Sequence, residues 1–390
     1  MPTSPKPADI LSLEEQIARL QALLEASRQV HSTIKLDEVL TQTARILVRE
    51  LEMDGAIFLT PTDGEPLAAY GQLPDPPYTG CPRFPLHSKE DSVLAELVIA
   101  TPNGNTLTLY EQDFIEGLAL QAAVALENAT FHERDLEWAR VQQDLDAARN
   151  IQRSLLPRTM PEIPNFSIAA RSTACYEVGG DYLDTILLPD GTHLVVVADV
   201  AGKGLASCIV ATSFRSALRS LVTQPLALED IVARVGHQHW TEGVEARRRY
   251  VTAIFMRIHL DTHQIEIVNA GHNPGALILP DGTVRMIDAS GTPLGMLPGM
   301  SYSSETLPFV PGSRILLYTD GLTEVFCGED EFGSERLAEE FRSVPSHSAE
   351  AILDSLWSTL ANFSMNAPQT DDMTAVAVCH LSPSQQQEIH

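Results

Sequence analysis

The chain has 390 residues, too many for one ordinary hydrophobic core, so at least two folded units are expected. Its 52 acidic residues outnumber 26 basic ones, for a net charge of −26. The excess is spread over both halves, which argues against nucleic acid and anionic membrane as partners, since both attract cationic patches. Five scattered cysteines without a C-x-x-C pair give no zinc or disulfide framework. With no apolar h-region at the N-terminus and no run long enough to span a bilayer, a cytoplasmic protein is expected.

Leu13, Ile17, Leu20 and Leu24 recur at four-three-four spacing and predict a helix within residues 1–30. A second amphipathic helix is expected from Asp37 to Leu51, then a strand at Ala56–Thr60 and a turn at Asp63-Gly64. Residues 71–87 carry Pro74, Pro76, Pro77, Pro82 and Pro85, which predicts a loop. A strand at Ser92–Ile99 and a turn at Asn103-Gly104 follow. From Glu111 to Leu156 there is no proline and a single glycine, Gly117. Phe114, Leu118, Val124 and Leu126 give way to Trp138, Val141, Leu145, Ala148, Gln152 and Leu155 in a three-four stagger. A helix of about 45 residues would be roughly 68 Å long, more than a monomer can cover, so its seam is expected to pair with a second copy. The other possibility is a break near residue 130 into two packed helices. Gln152 is a polar departure within the seam.

Beyond Pro157 the period becomes alternating. Strands are expected at Phe166–Thr173, Asp181–Leu187, His193–Ala198, Tyr250–Ile258, Gln264–Asn269, Ala276–Leu279, Thr283–Ile287, Arg314–Thr319 and Met373–His380. Helices are expected at Leu205–Val222, Leu226–His239, Ser334–Phe341 and Ala349–Phe363. Leu188-Pro-Asp-Gly-Thr and Leu279-Pro-Asp-Gly-Thr are matching turns between β runs and predict hairpins. Many strands in hairpins, with helices in pairs, make an α+β fold.

The chemistry lies in aspartates placed where strands end: Asp181, Asp199, Asp320 and the pair Asp371-Asp372. Carboxylates converging from rigid strands repel one another, and a hard divalent cation held by oxygen is the usual remedy. Of five Asp-Gly pairs, 54–55, 63–64, 190–191, 281–282 and 320–321, only Asp320-Gly321 follows an apolar strand with no hairpin return. Gly202 and Gly204 around Lys203 allow close backbone approach before a helix, where a phosphate could be cradled. His272 and Asn273 fit either a general acid or a polar turn. Cys175 has no His partner at a recognisable spacing and is a poor nucleophile.

Six segments carry a resemblance: Ala148-Arg-Asn-Ile-Gln-Arg-Ser-Leu-Leu-Pro157, Glu177-Val-Gly-Gly-Asp-Tyr-Leu-Asp184, Val197-Ala-Asp-Val-Ala-Gly-Lys-Gly204, Asn269-Ala-Gly-His-Asn-Pro274, Tyr318-Thr-Asp-Gly-Leu-Thr-Glu324 and Asp371-Asp-Met-Thr374. Together they resemble the bacterial PP2C-type (PPM) serine/threonine phosphatases of the stage-II-sporulation-E and sigma-B-regulator class. The resemblance implies an α-β-β-α sandwich of two stacked antiparallel sheets flanked by helices. It further implies two divalent cations, Mn²⁺ or Mg²⁺, held by Asp181, Asp199, Asp320, Asp371 and the backbone carbonyl of Val200. A phosphorylated regulatory protein, of the anti-sigma-factor-antagonist kind, is the implied substrate. Arg171 is the nearest candidate for a phosphate-binding arginine.

The helix at 36–51, the strand Gly55–Leu59 and the closing segment Tyr110–Ala129 resemble a GAF sensory domain, which implies either a small-molecule ligand or a dimerisation role. The expected organisation is an N-terminal helix (1–30), a GAF-like domain (31–130), a linker helix (131–157), the phosphatase domain (158–382) and a tail (383–390). A catalytically silent, phosphatase-like binding module is the alternative reading.

Overall fold

The computed structural model describes residues 35–382 apart from 158, 346 and 366. The helix expected within residues 1–30 and the tail at 383–390 lie outside the described residues. The chain divides into two compact units, Met1–Val141 and Gln142–His390.

In the first unit, helix α1 (Leu36–Glu50) buries Val39, Leu40, Ala44 and Leu47, one face of its 3.6-residue period. They pack on an antiparallel sheet of order β2-β1-β4-β3, made from β1 (Gly55–Leu59), β2 (Pro66–Gly71), β3 (Arg83–His87) and β4 (Val93–Ala100). The expected loop over 71–87 is thus corrected: Arg83–His87 is a strand. Pro85 is tolerated there because β3 is an edge strand, where a missing N–H leaves no ladder bond unmade. The rest of that segment covers the sheet's other face, Leu73, Tyr78 and Cys81 packing on Ile57, Leu59 and Val98.

Helix α2 (Leu109–Leu155) runs for 47 residues without a break near 130. It starts at a capping box, Thr108 Oγ1 accepting from the Glu111 amide at 3.3 Å while Glu111 Oε2 accepts from the Thr108 amide at 2.6 Å. Phe114, Ile115, Leu118 and Ala122 on its first turns complete the core of this unit. Its last turns, from Gln142, belong to the second unit.

The second unit has four layers. One sheet has the order β12-β9-β8-β7-β6, from β6 (Tyr182–Leu187), β7 (His193–Val200), β8 (Val251–His259), β9 (Gln264–Ala270) and β12 (Glu305–Pro308). The other has the order β11-β10-β13-β16-β5, from β5 (Phe166–Thr173), β10 (Gly275–Ile278), β11 (Val284–Ile287), β13 (Arg314–Tyr318) and β16 (Met373–His380). All ladders in both are antiparallel. Helices α3 (Leu205–Leu221) and α4 (Leu228–Thr241) cover the first sheet, and α5 (Gly333–Ser343) and α6 (Ala349–Phe363) the second.

Strand alternation assigns the faces. On β7, Leu194, Val196, Ala198 and Val200 pack toward the helices, while Val195 and Val197 pack between the sheets. On β16, Ala375, Ala377 and Cys379 face helices, and Val376 and Val378 face the other sheet. Both Leu-Pro-Asp-Gly-Thr turns close hairpins, β6–β7 and β10–β11. Each places its glycine, Gly191 or Gly282, at φ 83°, and each aspartate accepts from the threonine amide two residues on. Strand β12 and the two-residue hairpin of β14 (Phe326–Cys327) and β15 (Asp330–Glu331) were not foreseen; short edge pieces carry too little alternation to register.

Candidate functional site

The same parity places the acids. β6 begins and β7 ends at one end of the sandwich, and β13 ends and β16 begins there too. Asp199, two residues beyond Val197, therefore lies on the inter-sheet side, as does Asp181 two residues before Leu183. Asp372, in phase with Val376 and Val378, is on the inter-sheet side of β16. Asp371 is out of phase and sits in the loop before the strand.

Close packing around the acids demands glycine. A Cβ on Gly321 would lie 2.0 Å from the Asp372 carbonyl oxygen, and one on Gly179 would lie 2.3 Å from Asp372 Oδ2. Asp320-Gly321 is thus set apart from the hairpin Asp-Gly pairs by close approach rather than by a left-handed turn. The Val200 carbonyl faces the same corner, 3.0 Å from where a Cβ on Gly180 would stand.

Three of the five acids have defined partners at their carboxylates. Asp181 Oδ2 accepts from the Thr319 hydroxyl at 2.8 Å. Asp372 accepts from the amides of Gly180 at 2.7 Å and Cys175 at 2.8 Å. Asp371 pairs with Lys203 Nζ at 2.8 Å, and Lys203 also donates to the Thr370 carbonyl. The Asp320 carbonyl accepts from the Thr323 and Glu324 amides as the chain turns away from β13. Among the described residues no three His, Cys, Asp or Glu side chains form a closed ion-binding group.

Electrostatics nonetheless ties the acids together. Burial, and then the charges of Asp320, Asp371 and Asp372, push the Asp199 carboxyl up to about 7. Burial and Asp199 hold the Asp181 carboxyl well above the usual carboxylate range, and burial and Asp371 raise that of Asp320. Lys203 pairs directly with Asp371, and its charge only partly offsets the rise at Asp320. A donor set of oxygens alone, held close enough to raise one another's pKa, fits a hard divalent cation such as Mg²⁺ or Mn²⁺ and not a soft one.

Other residues singled out in the sequence fall elsewhere. Arg171 turns away from the acids: it bonds Glu350 at 3.1 Å and Asp354 at 2.5 Å and lies over the Trp357 ring. It is therefore not available to a phosphate at the acidic end. His272 is buried, its Nδ1 within 2.9 Å of Thr252 Oγ1, and burial lowers its pKa to about 4. The Tyr318 backbone lies near it, but Nε2 has no partner of normal hydrogen-bond geometry. Its amide donates to Asn269 Oδ1, and Asn269 Nδ2 reaches the Asn273 and Ile287 carbonyls. Asn269-Ala-Gly-His-Asn-Pro is thus a hydrogen-bonded turn. Cys175 donates its thiol to the Gln369 carbonyl, and burial pushes that thiol up, away from nucleophilic reactivity.

Thr319 is a further residue of the site, and its place in Tyr-Thr-Asp-Gly is the sequence signal for it. Asp184, not among the candidate acids, is fully buried and receives a two-pronged contact from Arg219, both bonds at 2.7 Å.

Comparison with known proteins agrees with this fold. The SiaA-PP2C domain of Pseudomonas aeruginosa matches with a TM-score of 0.53 at 23% identity, over 62% of this chain and 97% of that one. The second unit thus has the PP2C fold. Residues 189–381 match the Stage II sporulation protein E (SpoIIE) family, and the chain carries a PP2C-type domain belonging to it. Protein IcfG of Synechocystis sp. is 26% identical over 60% of this chain and 41% of its own length. The phosphoserine phosphatase RsbP of Bacillus subtilis is 28% identical over 47% of this chain and 46% of its own. The chain therefore spans less than half the length of these two relatives.

Proposed function

We propose that the second unit is a metal-dependent protein phosphatase acting on phosphoserine or phosphothreonine. The observation that carries this reading is the set of mutually raised aspartates, Asp181, Asp199 and Asp320, gathered with Asp371 at one end of the sandwich. Those four acids and the Val200 carbonyl are the groups that would hold two divalent cations, Mn²⁺ or Mg²⁺. When bound, such ions supply Lewis-acid charge and lower the pKa of a water toward neutrality. Thr319 fixes the Asp181 carboxylate, and the glycines at 179, 180 and 321 let backbone and acids close together. In the net reaction water adds at phosphorus as the serine or threonine oxygen leaves, giving inorganic phosphate and a free hydroxyl. No side chain of the protein becomes phosphorylated.

The substrate in this reading is a phosphorylated regulatory protein of the anti-sigma-factor-antagonist kind, as the sequence resemblance implies, and the name of the RsbP relative supports phosphoserine as the group removed. The first unit, GAF-like in its helix–sheet–helix order, controls the site in response to a small molecule or a protein contact. The chain works in the cytoplasm as a homodimer through α2, on which Phe131, Trp138 and Val141 are 57%, 70% and 51% exposed. Among the described residues no helix is long and apolar enough to cross a membrane.

Hydrolysis of a phosphoserine peptide with Mn²⁺, by the wild type and by Asp199→Asn, tests the activity. Turnover in the wild type and none in the variant is expected; equal turnover removes Asp199 from the site. Sedimentation tests the assembly: Trp138→Glu should convert a dimer to a monomer, and a wild-type monomer would rule the seam out.

A further inference from the structure

We propose that Gln152 is a positioning residue: from the end of α2 it holds the 175–180 loop, and through that loop Asp181 and Asp372, in register with the other acids. The inference rests on the metal-site reading for its consequence, though not for its geometry.

The loop between β5 and β6 has no strand or helix of its own to fix it. Gln152 supplies a substitute. Its Nε2 donates to the Gly179 carbonyl at 2.8 Å, and its Oε1 accepts from the Gly179 amide at 3.2 Å. The side-chain amide thus satisfies both backbone groups of one residue, as a neighbouring strand would. Two further contacts come from the same helix face: Arg149 Nε donates to the Glu177 carbonyl at 2.6 Å and Gln142 Nε2 to the Glu177 carboxylate at 3.2 Å.

From the opposite side Asp372 accepts from the Gly180 and Cys175 amides. The loop is therefore clamped between the helix and an acid of the site, with Asp181 as the next residue along. A recess of about 250 Å³, to which Arg149, Gln152, Asp181 and Asp372 all contribute, lies at this junction. Gln152 is the polar departure in an otherwise apolar seam, and its hydrogen bonds within this unit account for it. A turn or slide of the last turns of α2 would pull the amide off Gly179 and free the loop that carries Asp181. The helix end is thus a mechanical handle on the acids.

The full-length wild type and Gln152→Met, whose side chain has similar length but no amide, are compared in two ways. Amide exchange with chelator present should quicken about ten-fold or more at Gly179, Gly180 and Cys175, and not at β7 or β16. Mn²⁺ affinity by calorimetry should fall about ten-fold, the usual scale for groups that orient metal ligands. Gln152→Glu keeps the acceptor for the Gly179 amide and should restore protection there. Unchanged exchange in Gln152→Met overturns the proposal, as does faster exchange with wild-type Mn²⁺ affinity. If the wild type binds no Mn²⁺ yet exchange quickens in the variant, the clamp stands and the metal reading fails instead.

Discussion

Asp181, just before β6, and Asp184, on it, are both buried and have opposite surroundings. Asp184 points toward the helices and finds Arg219, the Tyr182 hydroxyl and the Thr185 amide. Asp181 points between the sheets, where Thr319 and Thr374 are its hydroxyl partners and its charged neighbours are Asp199 and Asp372. A single step in strand parity separates a charge that the protein neutralises itself from one that it leaves for something outside to neutralise. The first arrangement holds structure together. The second works against stability, a cost that the proposed cations would offset.

The largest effect that sharpens this contrast is on turnover. Asp181→Asn should lose at least about 100-fold in hydrolysis, since groups that merely orient metal ligands already contribute 10–100-fold. Its thermal stability in chelator should stay the same or rise, because a repulsion is removed. An unfolded Asp181→Asn protein would break the comparison.

Arg219→Met should do the reverse, lowering stability by about 2 kcal/mol while turnover per folded molecule is kept. That figure is reduced from the usual range for breaking a buried pair because the Arg219 side chain is 41% exposed. Loss of activity without loss of stability would move Asp184 into the site.

A smaller effect concerns His272, which burial keeps neutral with its pKa lowered to about 4. Between pH 6.5 and 4 the unfolded chain takes up a proton there and the folded one does not. Stability contributed by the neutral ring is therefore present above about pH 6.5 and lost as pH falls toward 4, by on the order of 3 kcal/mol. His272→Gln should flatten the pH dependence of the unfolding temperature over that window. An unchanged slope would show His272 to be protonated or exposed.

Most of the sandwich was legible in the sequence because its strands alternate cleanly and its hairpins carry strong turns. Phe166–Thr173 and Met373–His380 match their expected limits, and both Leu-Pro-Asp-Gly-Thr segments close hairpins. β3 was hidden by Pro85, since a proline signals a loop unless one knows the strand is an edge. The convergence of Asp181, Asp199 and Asp320 could be anticipated from acids abutting apolar strands. The different surroundings of Asp371 and Asp372 could not, because they depend on which residue keeps phase with Val376. Gln152 was visible only as an anomaly in a helical seam, since its partner is a backbone 27 residues away in the chain.

The central claim, that these acids gather around divalent cations, is tested most directly by calorimetric titration of Mn²⁺ into the wild type and Asp320→Ala. The account predicts saturable binding by the wild type and a marked loss of it in the variant. A wild-type chain that takes up no Mn²⁺, or a variant that binds it equally well, would contradict the account.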